Sequence, residues 1–416
     1  MPIADPSRPI LGAILSCLLA ACSLAPTPGV VQRSPTPRST PSAPIATASP
    51  TEPTTPTPVP NPSSVPSPVP LPSATLQPGA VLPGFSPLST TWVSLSMGWV
   101  LGHAQCPSGD CLALLRSVDA GRSWSAVTGP PALPSLALAP GGVHNIRFAD
   151  QSNGWAFDPE LWATHDGGST WRRQDLALPG AFRVDALEAS AGSVHATVTR
   201  FDSFRTTVYQ SLIATDAWRP TSVSMSAGAG PVPRAQIVAS QGAAWVVQVN
   251  RTVTGGARFS NGEWQDWRPP CADSGGSAYL AAASATYLAA RCNEGVWSNG
   301  PPRTLLYIST DAGSTFRPSG VALPASAGGG FDSPRPGMVV SGAYGADGHA
   351  TLLQTLDGGA NWSTVYGSAD RTAVLYVGFT SADQGVAILT GESGSTLLMT
   401  FDGGRHWSPV SFASAP

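Results

Sequence analysis

The eight residues Thr164-His165-Asp166-Gly167-Gly168-Ser169-Thr170-Trp171 place an acidic acceptor, two glycines, a hydroxyl and a large aromatic in the order that a tight reversal between two strands requires. An aspartate carboxylate accepts backbone N–H groups a few residues on, and the glycine two places later takes a positive φ. Thr170 supplies a further hydroxyl, and Trp171 opens the next strand, where an aromatic packs between layers. The same order recurs at Ser117 to Trp124 around Asp119, at Ser309 to Phe316 around Asp311, at Thr355 to Trp362 around Asp357 and at Thr400 to Trp407 around Asp402. Two weaker copies fill the gap. Ala214-Thr215-Asp216-Ala217-Trp218 lacks the glycine turn, and Ser260-Asn261-Gly262-Glu263-Trp264 lacks the aspartate. Taken in order, the aspartate or its stand-in recurs every 45 to 50 residues, the period of a propeller blade.

Working outward, two alternating apolar segments precede each turn, most clearly Ile146-Arg147-Phe148 and Gly154-Trp155-Ala156-Phe157, separated by the polar run Asp150 to Asn153. Apolar positions spaced by two are those of a sheet. Each unit therefore reads as a four-stranded meander with the aspartate turn joining strands three and four. Seven units predict an all-β chain, a seven-bladed β-propeller over residues 83–416.

The repeated string S/T-x-D-x-G-x-T-W resembles the Asp-box, or bacterial neuraminidase repeat, of sialidases, some glycoside hydrolases and sortilin-type receptors. The pairing of Phe148 and Gly154-Trp155 with Thr164 to Gly168 is most similar to the photosystem II assembly and stability factor family. That resemblance implies a propeller acting as an assembly chaperone. In all of these families the aspartates, here Asp119, Asp166, Asp311, Asp357 and Asp402, are turn-forming rather than catalytic.

Composition agrees with a turn-rich exported protein. Charged residues make up 11 % of the chain, and Gly (44) and Pro (42) are abundant among 416 residues. The net charge of −3 excludes a nucleic-acid binder, which needs a clustered basic surplus. All basic residues are Arg. At the N-terminus, Arg8 precedes an apolar run from Ile10 to Ala21, too short for a permanent span and suited to a signal peptide. It ends in Leu19-Ala20-Ala21-Cys22, which resembles a bacterial lipobox; the resemblance implies cleavage after residue 21 and acylation of Cys22. Residues 22–82, dominated by Pro, Ser and Thr, read as a disordered linker. The expected organisation is thus a signal peptide (1–21), a lipid-anchored linker (22–82) and the propeller (83–416), held on the extracytoplasmic face of a bacterial membrane. The four remaining cysteines predict two disulfides, Cys106 with Cys111 and Cys271 with Cys292.

Catalytic signatures do not stand out. The carboxylates Asp158, Glu160, Asp185, Glu188 and Glu294 offer no pairing that sequence can fix for a glycosidase. Neither a Ser-His-Asp arrangement nor a phosphate loop is visible, His165 and His406 read as turn residues, and no metal or cofactor is expected. Arginines carry the remaining signal. Arg147, Arg183 and Arg234 fall seven to nine residues before the glycine of the first turn in blades two, three and four, near the start of each innermost strand. Arg200, Arg205, Arg251 and Arg291 fall in the loops between strands two and three of blades three to five, with Phe201 and Phe204 among them. Together they predict a basic, partly aromatic patch opposite the aspartate turns, suited to carboxylates or phosphates. The sequence therefore points to a monomeric binding module for a protein segment or anionic glycan rather than an enzyme. A sialidase-like or other Asp-box glycoside hydrolase is the alternative.

Overall fold

The computed structural model describes residues 84–106, 109–134, 142–228, 230–295, 303–324, 326–345 and 347–412. The expected signal peptide, Cys22 and the linker lie outside the described residues. The chain is a seven-bladed β-propeller, each blade a four-stranded antiparallel sheet built from consecutive sequence at residues 86–127, 145–173, 182–226, 234–266, 277–322, 326–367 and 372–409. From blade one to blade seven the first strand of each blade contacts the first strand of the next, and at the junction of blades seven and one the first strand of blade one contacts the second and third strands of blade seven; the first strands are Ser86–Trp92, Asn145–Phe148, Phe182–Ser190, Arg234–Ser240, Ser277–Ala282, Ser326–Arg335 and Thr372–Phe379. Turns joining strands one to two and three to four lie on one face, the turn face. Loops joining strands two to three, and the connections between blades, lie on the other, the loop face.

Every expected aspartate turn forms between strands three and four. In blade two, Thr164 Oγ1 donates to Asp166 Oδ1 at 2.9 Å while accepting the Gly168 N–H at 3.0 Å. The carboxylate then accepts the Thr170 N–H at 2.8 Å and its hydroxyl at 2.7 Å. Gly168 sits at φ +96°, which an L side chain rarely adopts. The indole N–H of Trp171 returns to the Gly168 carbonyl at 3.2 Å, and Trp124 and Trp407 do the same at 3.1 and 2.9 Å. Blade five carries Phe316 at this position, and there Trp267 of the preceding connection donates to the Gly313 carbonyl instead, at 2.8 Å.

The two weaker copies have separate solutions. In blade four, Asn261 and Gly262 both have positive φ (54° and 84°), and Ser260 pairs with Glu263, so a two-residue type I′ hairpin replaces the longer turn. In blade three, Asp216 has left turn formation to accept the Trp155 indole at 3.3 Å, His165 Nε2 at 2.9 Å and the Gln174 amide at 3.0 Å, all from blade two.

Each blade buries both faces against its neighbours. The apolar clusters combine residues of consecutive blades all the way round, from Trp99, Leu101 and Ile146 between blades one and two to Ile388, Leu397 and Val100 between blades seven and one. This is why second strands read as short unbroken apolar runs such as Trp99-Val100-Leu101 and Val386-Ala387-Ile388-Leu389, all buried. Among the described residues no strand is shared across the junction of blades seven and one. That junction is held by packing and by the Ser395 N–H donating to the Ser86 hydroxyl at 2.9 Å.

Both expected disulfides are present. Cys106–Cys111 closes the strand two to three hairpin of blade one, and Cys271–Cys292 ties the connection entering blade five to that blade's second strand.

Thr355→Val in blade six removes a buried hydroxyl but keeps its shape, leaving the Gly359 N–H without its 2.9 Å acceptor. Denaturant unfolding should show a loss of about 1–3 kcal/mol. An unchanged midpoint would mean that the hydroxyl does not organise the turn.

Candidate functional site

The innermost strands surround a central channel of about 410 Å³, and its wall is polar on one side and apolar on the other. Strand pairing places Arg147, Glu188 and Asp332 at one level, since they pair with Trp155, His195 and Val340, each one step from the pair that reaches the Ser or Thr position before the turn. Blade seven has Gly378 near this level, and a Cβ there would come within 2.2 Å of the Tyr376 hydroxyl, so that hydroxyl occupies the space. The opposite arc carries Val238 and Ala281. Arg147 Nη2 donates to Glu188 Oε1 at 2.6 Å. Asp332 accepts the N–H of Ser333 at 2.8 Å and that of Phe379 in the next blade at 2.7 Å. Burial pushes the Asp332 carboxyl up to about 6 despite these donors and the more distant Arg147. Burial likewise raises Glu188, which Arg147 opposes and Asp332 reinforces.

Nearer the loop face, Arg183 is buried, its Nε donating to Asp185 at 2.5 Å and its Nη2 to the Pro233 carbonyl at 2.6 Å. Thr199 also donates to Asp185. Burial outweighs these contacts and pushes Asp185 up to about 6. Arg234, about half exposed, bonds Asp158 at 2.9 Å and lies 3.8 Å from Asp185.

The expected arginine patch is therefore only partly assembled. Arg147 is the third of four residues in its strand, within the channel and paired, rather than near the strand's start. Arg183 is buried against Asp185. Arg291 is not in a loop but in the second strand of blade five, fully buried. Its guanidinium donates to the carbonyls of Gly328, Gly330 and Gly342 and to Ser341 Oγ, and lies over the rings of Tyr279 and Phe331. It holds the irregular glycine segment of blade six in place. Burial lowers its pKa to about 10, so the group keeps its charge. What remains on the loop face is Arg200, Arg205 and Arg251 with the outer part of Arg234. Arg200 pairs with Asp202, whereas Arg205 is exposed and makes no ion pair among the described residues.

The five carboxylates considered for hydrolysis are all engaged by arginine: Asp158 by Arg234, Glu160 by Arg173 at 2.7 Å, Asp185 by Arg183, Glu188 by Arg147 and Glu294 by Arg303 at 2.9 Å. Asp332 and Tyr376 escaped sequence reasoning because their strands carry no landmark residue. Only counting back from the blade hairpins would have aligned Asp332 with Arg147 and Glu188. His165 and His406 are exposed turn residues, bonded to Asp216 and Asp402.

No protein-family model and no curated protein sequence matches the chain. Among solved structures it is similar to YCF48 bound to a D1 peptide (19 % identity, TM-score 0.50, covering 77 % of this chain and 95 % of that one). It is also similar to YCF48 from Cyanidioschyzon merolae (12 %, 0.51, 79 % and 99 %). A third similar structure is the β-propeller domain of the Trilobed protease from Pyrococcus furiosus, described as an open velcro topology (9 %, 0.52, 80 % and 97 %). At these identities the likeness is one of fold.

The raised and lowered carboxyls give opposite pH limbs. Asp185 and Asp332 bind protons more tightly folded than unfolded, so their cost to stability is present above about 6 and fades as pH falls towards the unfolded value. Asp311, Asp357 and Asp402, pulled down to about 2 chiefly by hydrogen bonds within their turns, contribute stability that is lost as pH falls through that value. Calorimetry should show the melting temperature rising on mild acidification and then falling, with Asp332→Asn flattening only the first limb. In the same assay Arg291→Met, which strands buried carbonyls, should cost about 2–4 kcal/mol.

Proposed function

We propose that this chain is a lipid-anchored, extracytoplasmic Asp-box propeller that acts as a scaffold, binding a segment of a partner protein through the loop face of blades three and four. The observation that carries this reading is the fate of the carboxylates. All five hydrolytic candidates are held by arginines in structural pairs, whereas a glycosidase needs one free to donate a proton and another free to attack or activate water.

The binding surface is formed by the arginines that stand at the loop face. Arg200 and Arg205 bracket the loop containing Phe201 and Phe204 in blade three, and Arg251 stands exposed at the tip of the equivalent turn in blade four. Arginine forks beside aromatic rings suit a segment carrying carboxylates. The fold likeness to YCF48, solved with a D1 peptide, supports a protein segment as the ligand. Nothing in this proposal depends on photosynthesis, only on an acidic segment presented outside the cytoplasm. Acylation at Cys22 would keep the scaffold near a membrane-bound partner.

Titrating the full chain with short acidic, neutral and basic synthetic peptides tests the proposal. Acidic peptides should bind with affinity that falls as salt rises. Arg205→Glu with Arg251→Glu should weaken them roughly tenfold, while Arg122→Glu on the turn face leaves them unchanged. Equal binding by all three forms would remove the loop face from the account. Cys22→Ala should release the protein from the membrane fraction.

A further inference from the structure

The channel wall has an unbalanced charge. Asp185 is compensated by Arg183 and Glu188 by Arg147, each within ion-pair distance. Asp332 has no cation within 4 Å among the described residues; its two oxygens accept backbone N–H groups, which orient the carboxylate without neutralising it. Arg147 acts on Asp332 only from farther away and is already bound to Glu188. Phe157, Phe331, Tyr376 and Phe379 also line the channel. A carboxylate left without a counter-charge in a cavity is the complement of one organic cation, attracted by the charge.

We propose that the central channel is a binding site for a single ammonium or guanidinium group, received by Asp332. Its alkyl stem would run along the apolar arc of Val238 and Ala281. The site is separate from the arginine-bearing loops of blades three and four and takes the opposite charge. The group arrives either on a free small amine or as a Lys or Arg side chain of a partner, and the chemistry of recognition is the same in both.

Calorimetric titration of the full chain with n-butylguanidinium and n-butylammonium, against neutral n-butylurea, tests the proposal. Both cations should bind and n-butylurea should not. A blocked peptide, acetyl-Gly-Arg-Gly-amide, separates the sources: binding at least as tight as the free cation identifies a partner side chain, and binding of the free cations alone identifies a small amine. Asp332→Asn should weaken the cations roughly tenfold or more. Because Asp332 also joins blades six and seven through Phe379, Glu188→Gln is measured alongside it. That variant cancels the excess negative charge without touching the Phe379 contact and should produce a similar loss. No preference for the cations over n-butylurea, or equal cation binding by the wild type and both variants, would overturn the proposal. Since the acidic peptides of the loop face depend on Arg205 and Arg251, either site can fail without the other.

Discussion

The hydroxyl of one serine or threonine at the end of the third strand, present in five of the seven blades, is the contact on which the rest of the propeller depends. It donates to the aspartate two residues on and accepts the N–H of the glycine four residues on, as Ser117, Thr164, Ser309, Thr355 and Thr400 all do. With both ends of the turn fixed to one atom, the reversal has a defined direction, and the following aromatic is delivered to the seam between blades. Tight packing follows from the same geometry. A Cβ at Gly359 would stand 2.8 Å from the Ser319 Cβ and 2.9 Å from a Leu306 methyl of blade five, so the turn of one blade seats directly on its neighbour.

A ring made of such seams needs no shared strand. The cluster between blades seven and one draws on Trp124, Leu115, Ile388 and Leu397 in the same way that the other clusters draw on their own blades. Two local departures from the repeat are corrected across the seam, while blade four closes its own turn with a hairpin. Trp267 supplies the indole that Phe316 lacks, and Asp216, released from its turn, gathers three donors from blade two. The buried Arg291 extends the same logic inward, since it reaches from blade five to hold three glycine carbonyls of blade six.

These corrections mark where the sequence stops being legible. Turns, strands and disulfides could be read because their causes lie within a few residues: Thr164 and Gly168, or Cys106 and Cys111. The arginines could not, because their partners are remote in sequence and adjacent only in the ring. Arg147 meets Glu188 across 41 positions and Arg234 meets Asp158 across 76. Counting along the chain places a guanidinium on a blade, but whether it reaches solvent or a neighbour's carboxylate depends on strand length. Blade two has a four-residue innermost strand, which carries Arg147 deep into the channel, whereas the nine-residue strand of blade three has Arg183 as its second residue, at its loop end.

The same remoteness explains why arginine and carboxylate signals, each suggestive alone, largely cancel when the ring closes. A propeller axis gathers one side chain per blade at each level, so charges from distant repeats must be balanced there or left to a ligand. In this ring Arg147 answers Glu188, and Gly378 gives its space to Tyr376. Asp332 faces them from blade six, where among the described residues its hydrogen-bond partners are backbone N–H groups. A carboxylate that folding leaves ionised and uncompensated costs stability in the free protein. While the carboxylate stays ionised, an entering cation offsets that cost, which makes the position a more specific pointer to ligand chemistry than arginines exposed to water, whose charge costs the fold little wherever they stand.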